Sequence, residues 1–286
     1  MNANAQIREI LFNAPPEVKY PEDGLWPYLP ICGVWDGYSE PYSPSNPQKY
    51  FLGRTGGQMI GSAIASVLKH VEMPILSSAE TILTLANEVI WQNQTDTGIS
   101  IDDASKLAGA TFAFAEIKEE KTRIYHGGDC YAAWQMKSGE TGITHNSFWL
   151  FEAELRAKIA ELMKQTNGDR TKMWDPFYPF LCQKRKENTN KPGRCALLNG
   201  QPELVDCWDI TTLSTPDIEF LILFTDGLVP FSRTAIEEHL KQIVLRKYSA
   251  GGLHGILSWT RAVERDESAL SHQTHAEAAA ISVHFS

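Results

Sequence analysis

Three acidic residues in this chain share one local setting. Asp36 in GVWDG, Asp129 in HGGDC and Asp226 in LFTDG each sit beside a glycine and follow or border an apolar run. A carboxylate at the exit of a buried strand is held rigidly yet can face solvent, as a metal ligand must. A neighbouring glycine lets a backbone carbonyl or a substrate approach closely. Carboxylate and carbonyl oxygens are hard ligands, so the chemistry suggested is binding of Mg²⁺ or Mn²⁺ rather than zinc. The plain alternative for each is a turn, since Asp-Gly after a strand commonly makes one.

Other reactive-looking groups fit simpler roles. Gly56-Gly57-Gln58-Met59-Ile60-Gly61-Ser62 has the glycines of a phosphate loop but no Lys before the Ser and no preceding strand, so it reads as a helix start. His272, His275 and Glu277 could form a zinc set, but eight scattered histidines make chance pairs common and no H-E-x-x-H occurs. No G-x-S-x-G elbow is present, which disfavours a serine hydrolase. Cys130 reads as a core thiol. Trp149 and Trp174 read as packing residues, with a wall beside the substrate as the other option.

The elements that must position the carboxylates follow from periodicity. PICGVW, ending at Asp36, reads as a buried strand. Ile60, Ile64, Val67, Leu68 and Val71 share one face of a helix from about Gly57, which Pro74 ends. A second helix is expected from Ser77, where Ser77 and Glu80 match a capping box, with Ile82, Leu85, Ala86, Val89 and Ile90 inward. ATFAFAEI, RIYHGGD and CYAAWQM read as successive strands, with EEKT as a turn between the first two. Phe148, Phe151, Leu155, Ile159 and Leu162 define an amphipathic helix closed by Asn167-Gly168. Residues 169–200 read as a basic loop, and Lys184-Arg185-Lys186 within it as a solvated face. IEFLILF is the clearest buried strand. Thr234 to Glu237 is another capping box, opening a helix with Ile236, Leu240, Ile243 and Val244 inward, and AAAISVHF is a last strand. Strands and helices come in blocks, which predicts an α+β fold with antiparallel sheets, and the 286 residues read as a single domain.

Composition narrows the partners. At 43% hydrophobic and 21% charged residues, the chain can bury a substantial core. Its net charge of −9 argues against nucleic acid, whose binding rests on Lys and Arg neutralising phosphates. Five widely spaced cysteines, with no C-x-x-C pair, read as free thiols in a reducing compartment. The N-terminal residues lack a signal-peptide layout and no apolar run is long enough to span a membrane, so a cytoplasmic location and no membrane association are expected.

The motifs in order carry a family likeness. YPEDGLW, GVWDGYSEP, GATFAFAEI, YHGGDCYAAW and FLILFTDGL, followed by a final apolar strand, resemble type 2C metal-dependent serine/threonine protein phosphatases, and NKPGRCALLNG is similar to a bacterial branch. The resemblance runs from about residue 17 to the C-terminus. It implies a four-layer α-β-β-α sandwich of two antiparallel sheets flanked by helices, with an inserted helical or loop region at about 135–200. It implies two Mn²⁺ or Mg²⁺ ions, a third weaker one, and release of phosphate from phosphoserine or phosphothreonine proteins through a hydroxide the metals share. Asp36 would bridge both ions, the Gly37 carbonyl would bind one, Asp226 the other, and Asp129 the weaker one. Glu22 would support a metal-bound water and Asp23 would stand behind the ligands.

The sequence departs from that pattern at defined places. The last strand of the family follows an Asp pair, whereas here HAEAAAISV puts Ala276 at the ligand position, with Glu277 and His275 beside it. Glu277 is the expected substitute ligand. The arginine expected four residues before Glu22 is Val18, and Lys19 is the nearest cation, able to meet a phosphate as a point charge without a bidentate fork. Tyr38 occupies the place of a frequent histidine acid. These departures keep open a second reading, a catalytically degenerate phosphatase-like fold acting as a binding or regulatory module.

Overall fold

In the computed structural model, residues 5–16, 18–70, 78–230, 237–271 and 277–286 are described. Within them run the strands β1 (Ala5–Asn13), β2 (Gly24–Trp26), β3 (Ile31–Tyr38), β4 (Gly109–Ile117), β5 (Lys121–Gly127), β6 (Tyr131–Met136), β7 (Thr141–Ile143), β8 (Asp209–Ser214), β9 (Ile218–Phe224) and β10 (Ala278–Phe285). The helices are α1 (Gly56–His70), α2 (Ala79–Asp96), α3 (Trp149–Gln165), α4 (Arg170–Asn188) and α5 (Glu237–Ser271). The strands form two five-stranded sheets, in the orders β1-β10-β9-β6-β7 and β2-β3-β4-β5-β8, and every neighbouring pair is antiparallel.

Alternation along the strands explains the continuous apolar runs. In β4, Ala110, Phe112 and Phe114 face α1 and α2, where they meet Ile60, Ile64, Ile82 and Leu83, while Ala113 and Ala115 face the other sheet. In β9, Leu221 and Leu223 point between the sheets and Ile222 and Phe224 pack under Leu240, Val244 and Ile256 of α5. Strands covered on both faces need apolar residues at consecutive positions rather than every second one. The layers are therefore helix, sheet, sheet, helix, the α+β sandwich expected from the sequence. No helix among the described residues is long and apolar enough to cross a membrane.

Some local expectations change. Residues 170–188, expected as loop, form α4, although Pro176 and Pro179 lie inside it. Asp169 caps its start by accepting from the Lys172 N–H at 3.2 Å. Met173 and Phe177 then pack with Leu155, Ile159 and Leu162 of α3. Burial of that apolar stripe outweighs the helix-breaking tendency of proline, which propensity alone could not show. The second helix starts one residue later than expected, with Ser78 as cap accepting from Thr81 N, and Ser77 lies outside the described residues, as do Thr234 and Ile236. β1, β2, β7 and β8 are additions. β1 carries exposed Ile10 and Phe12, so its apolar residues do not mark one buried face.

Candidate metal centre

Antiparallel pairing gathers the acidic motifs of each sheet at one of its ends. β3 ends just after Asp36. Because β2 and β4 oppose β3, β2 starts at that end and β5, opposing β4, finishes there. In the other sheet β9 ends just before Asp226, and β6 and β10 oppose it, so both start at the end where β9 stops. Glu22 and Asp23 lead into β2, Asp129 lies in the turn from β5 to β6, and Glu277 immediately precedes β10. Gly128, at φ +80°, makes the Asp129 turn, a conformation that disfavours any residue with a Cβ.

Hydrogen bonds lock this end. Thr225 Oγ1 donates to Asp23 Oδ2 at 2.7 Å and accepts from the Ala279 N–H at 3.0 Å, tying β2 to the β9 and β10 ends. Glu277 Oε2 accepts from the backbone N–H groups of Glu22 and Asp23, at 2.9 and 2.8 Å. Thr55 Oγ1 donates to Glu22 Oε1 at 2.5 Å. Thr55 also begins α1 in a reciprocal cap, accepting from Gln58 N and donating its own N–H to Gln58 Oε1. The α1 glycines permit close packing: a Cβ on Gly57 would stand 2.7 Å from Glu22 Cδ and 2.8 Å from the Gly37 carbonyl oxygen.

The electrostatics are those of crowded acids. Burial raises the Asp36 carboxyl well above the usual range, and the charges of Asp23, Asp226 and Asp129 raise it further. Burial also lifts Asp23 to about 7, with Asp226 and Glu277 adding to the rise and the Thr225 hydroxyl opposing it. Asp23 and Asp36 interact directly, and burial favours the neutral form of each. Glu22 is raised by burial, with Glu277 and Glu40 adding to it. Mutual repulsion of this kind is relieved by a bound cation as well as by a proton. The oxygen-only donor chemistry fits a hard divalent ion. Among the described residues no three acidic, His or Cys groups already converge as ligands.

Beside the carboxylates lies a cavity of about 420 Å³, floored by Glu22 and Gly37 and walled by Tyr42, Trp174, Leu181 and Arg185. Trp174 stacks on Tyr42 with ring centroids 6.1 Å apart, so it both packs and lines the cavity. The Trp149 side chain lies outside the described residues. Arg185 is a correction. Expected in a solvated face, it turns inward, donating from Nη1 to the carbonyls of Ser39 (2.9 Å) and Leu107 (3.3 Å), with its guanidinium 4.7 Å over the Tyr38 ring. α4 sets its direction, and residues read as loop gave no face to place it on. Lys19 is exposed and stands 5.1 Å over Tyr20. His275 and Ala276 lie outside the described residues. Thr55, Thr225 and Arg185 escaped the sequence reading. The T-x-x-Q pattern of Thr55 and Gln58 was a usable signal for the first, and nothing local marked the other two.

No known family signature matches the sequence. No curated protein matches it either. Solved structures share its architecture. The catalytic domain of the serine/threonine protein phosphatase PstP in complex with two manganese ions aligns over 98% of this chain and 97% of its own, at a TM-score of 0.55 and 11% identity. The Mycobacterium tuberculosis serine/threonine phosphatase PstP/Ppp aligns over 100% and 99%, at 0.53 and 13%. Serine/threonine phosphatase Stp1 from Staphylococcus aureus aligns over 100% and 96%, at 0.52 and 13%. The fold is thus that of the type 2C bacterial serine/threonine phosphatases.

Proposed function

We propose that this chain is a metal-dependent phosphatase that removes phosphate from phosphoserine and phosphothreonine proteins in the cytoplasm. The observation that carries the proposal is the crowding of Asp36 by Asp23, Asp226 and Asp129 at the strand ends, beside an open cavity. Asp36, Asp226 and the Gly37 carbonyl would hold Mn²⁺ or Mg²⁺, with Asp129 holding a weaker ion. Divalent ions there would lower the pKa of the attacking water and neutralise charge on the phosphoryl oxygens. The chain's own part is positioning. Thr225 holds the Asp23 carboxylate behind Asp36, and Thr55 holds Glu22 at the cavity floor. Glu277, expected as a ligand, has one oxygen committed to the Glu22 and Asp23 amides, so it fixes the loop that carries them and has only Oε1 to offer an ion. Lys19, exposed over Tyr20, would meet only the outer part of a substrate.

That commitment of Glu277 favours the second reading, a degenerate fold that binds without turnover. The two readings separate on Mn²⁺. Catalysis predicts that millimolar Mn²⁺ raises the melting temperature and releases phosphate from a phosphopeptide, and that Asp36→Asn loses both, with turnover down at least about 100-fold. Mn²⁺ stabilisation without turnover would support the binding module. Wild-type turnover in Asp36→Asn would sink the metal-centre reading.

A further inference from the structure

The cavity beside the carboxylates also holds a cation, Arg185, alongside Glu22 and Glu40. Lys184, next to Arg185 on α4, is paired with Glu154 and Glu187. Arg185 makes no ion pair among the described residues; burial lowers its pKa, and the charge of Glu40 in the same cavity works against that. A half-buried guanidinium with N–H donors to spare can take an anion that brings two acceptor oxygens.

Geometry shows where that anion would sit. Both hydrogen bonds of Arg185 run from Nη1, to Ser39 and Leu107. Nε and Nη2 therefore keep their protons for another acceptor, and Arg185 lines the same cavity as Glu22 and Gly37. Tyr38 serves as the platform under the guanidinium. Its own hydroxyl lies against Gly109, where a Cβ would stand 2.4 Å from it, so the ring is fixed from the β4 side while it lines the cavity. A planar fork held by two carbonyls and a ring face presents paired N–H groups in a fixed direction, the arrangement that suits two oxygens of a phosphate monoester.

We propose that Arg185, delivered by α4, is the residue that grips the phosphoryl group of the substrate in this cavity. The proposal rests on the phosphatase reading for its substrate, and it assigns the cation to an inserted helix rather than to the segment before Glu22.

Inorganic phosphate is the probe that separates the two. Wild-type protein should melt at a higher temperature with phosphate added, and Arg185→Gln and Arg185→Lys should lose most of that rise. With an aryl phosphate as substrate, Arg185→Gln should raise KM roughly 10- to 100-fold with a smaller change in kcat. Arg185→Lys should fall between, because an ammonium keeps the charge and loses the fork. If Arg185→Gln does not fold, Arg185→Lys decides. Variants that fold and show wild-type phosphate protection and KM would overturn the proposal, as would a lowered melting temperature with KM unchanged, which marks a purely structural role. Absence of turnover in the wild type would end the phosphatase reading while the phosphate-dependent melting still decided Arg185.

Discussion

Thr225 shows how much of the site depends on residues that are not themselves acids. Its hydroxyl bonds Asp23 Oδ2 and the Ala279 amide in a position with no exposed surface. Thr225→Val keeps the shape and removes both bonds, leaving a buried carboxylate and a backbone amide short of partners. Urea unfolding of the metal-free protein should show a loss of about 1–3 kcal/mol, and an unchanged midpoint would count against the lock described here. Of the acids themselves, Asp36, Asp129 and Asp226 were legible because each follows or borders an apolar run and has a glycine neighbour. Thr225 was not, since a threonine before Asp-Gly looks like any strand residue until its partner across 202 positions is known.

Among the elements, α1 carries a test whose sign runs against local preference. Alanine is the better helix former by about 1 kcal/mol, so Gly57→Ala should stabilise an isolated helix. In the folded chain the new Cβ meets Glu22 Cδ at 2.7 Å and the Gly37 carbonyl at 2.8 Å. The substitution should therefore lower the melting temperature and cut Mn²⁺ affinity, read by calorimetric titration, whereas a stabilised protein with normal Mn²⁺ binding would contradict this packing. The helices with clean apolar stripes, α1 to α3, were readable from periodicity. α4 was not, because Pro176 and Pro179 look like loop punctuation when the opposing face of α3 is unknown. With α4 went the placing of Arg185.

For the whole molecule, the block-wise order of strands and helices was enough to anticipate stacked antiparallel sheets, since runs such as those of β4 and β9 need cover on both faces. Strand order was another matter. Pairing β1 with β10 joins Ala5 to Phe285, and no local signal spans such a separation. The same pairing has a consequence in time. A ribosome making this chain must finish β10 before β1 has a neighbour, and Glu277 must emerge before the Glu22 and Asp23 amides are held. Contacts this distant along the chain slow folding, because loop closure comes before the reward. Removing residues 277–286 should leave a chain without a cooperative melt by circular dichroism, and a retained sigmoidal transition would show that this sheet stands without the strand between β1 and β9. The acidic pocket is therefore assembled only after Glu277 and β10 have been made, and a shorter nascent chain would carry its carboxylates without the architecture to bind an ion.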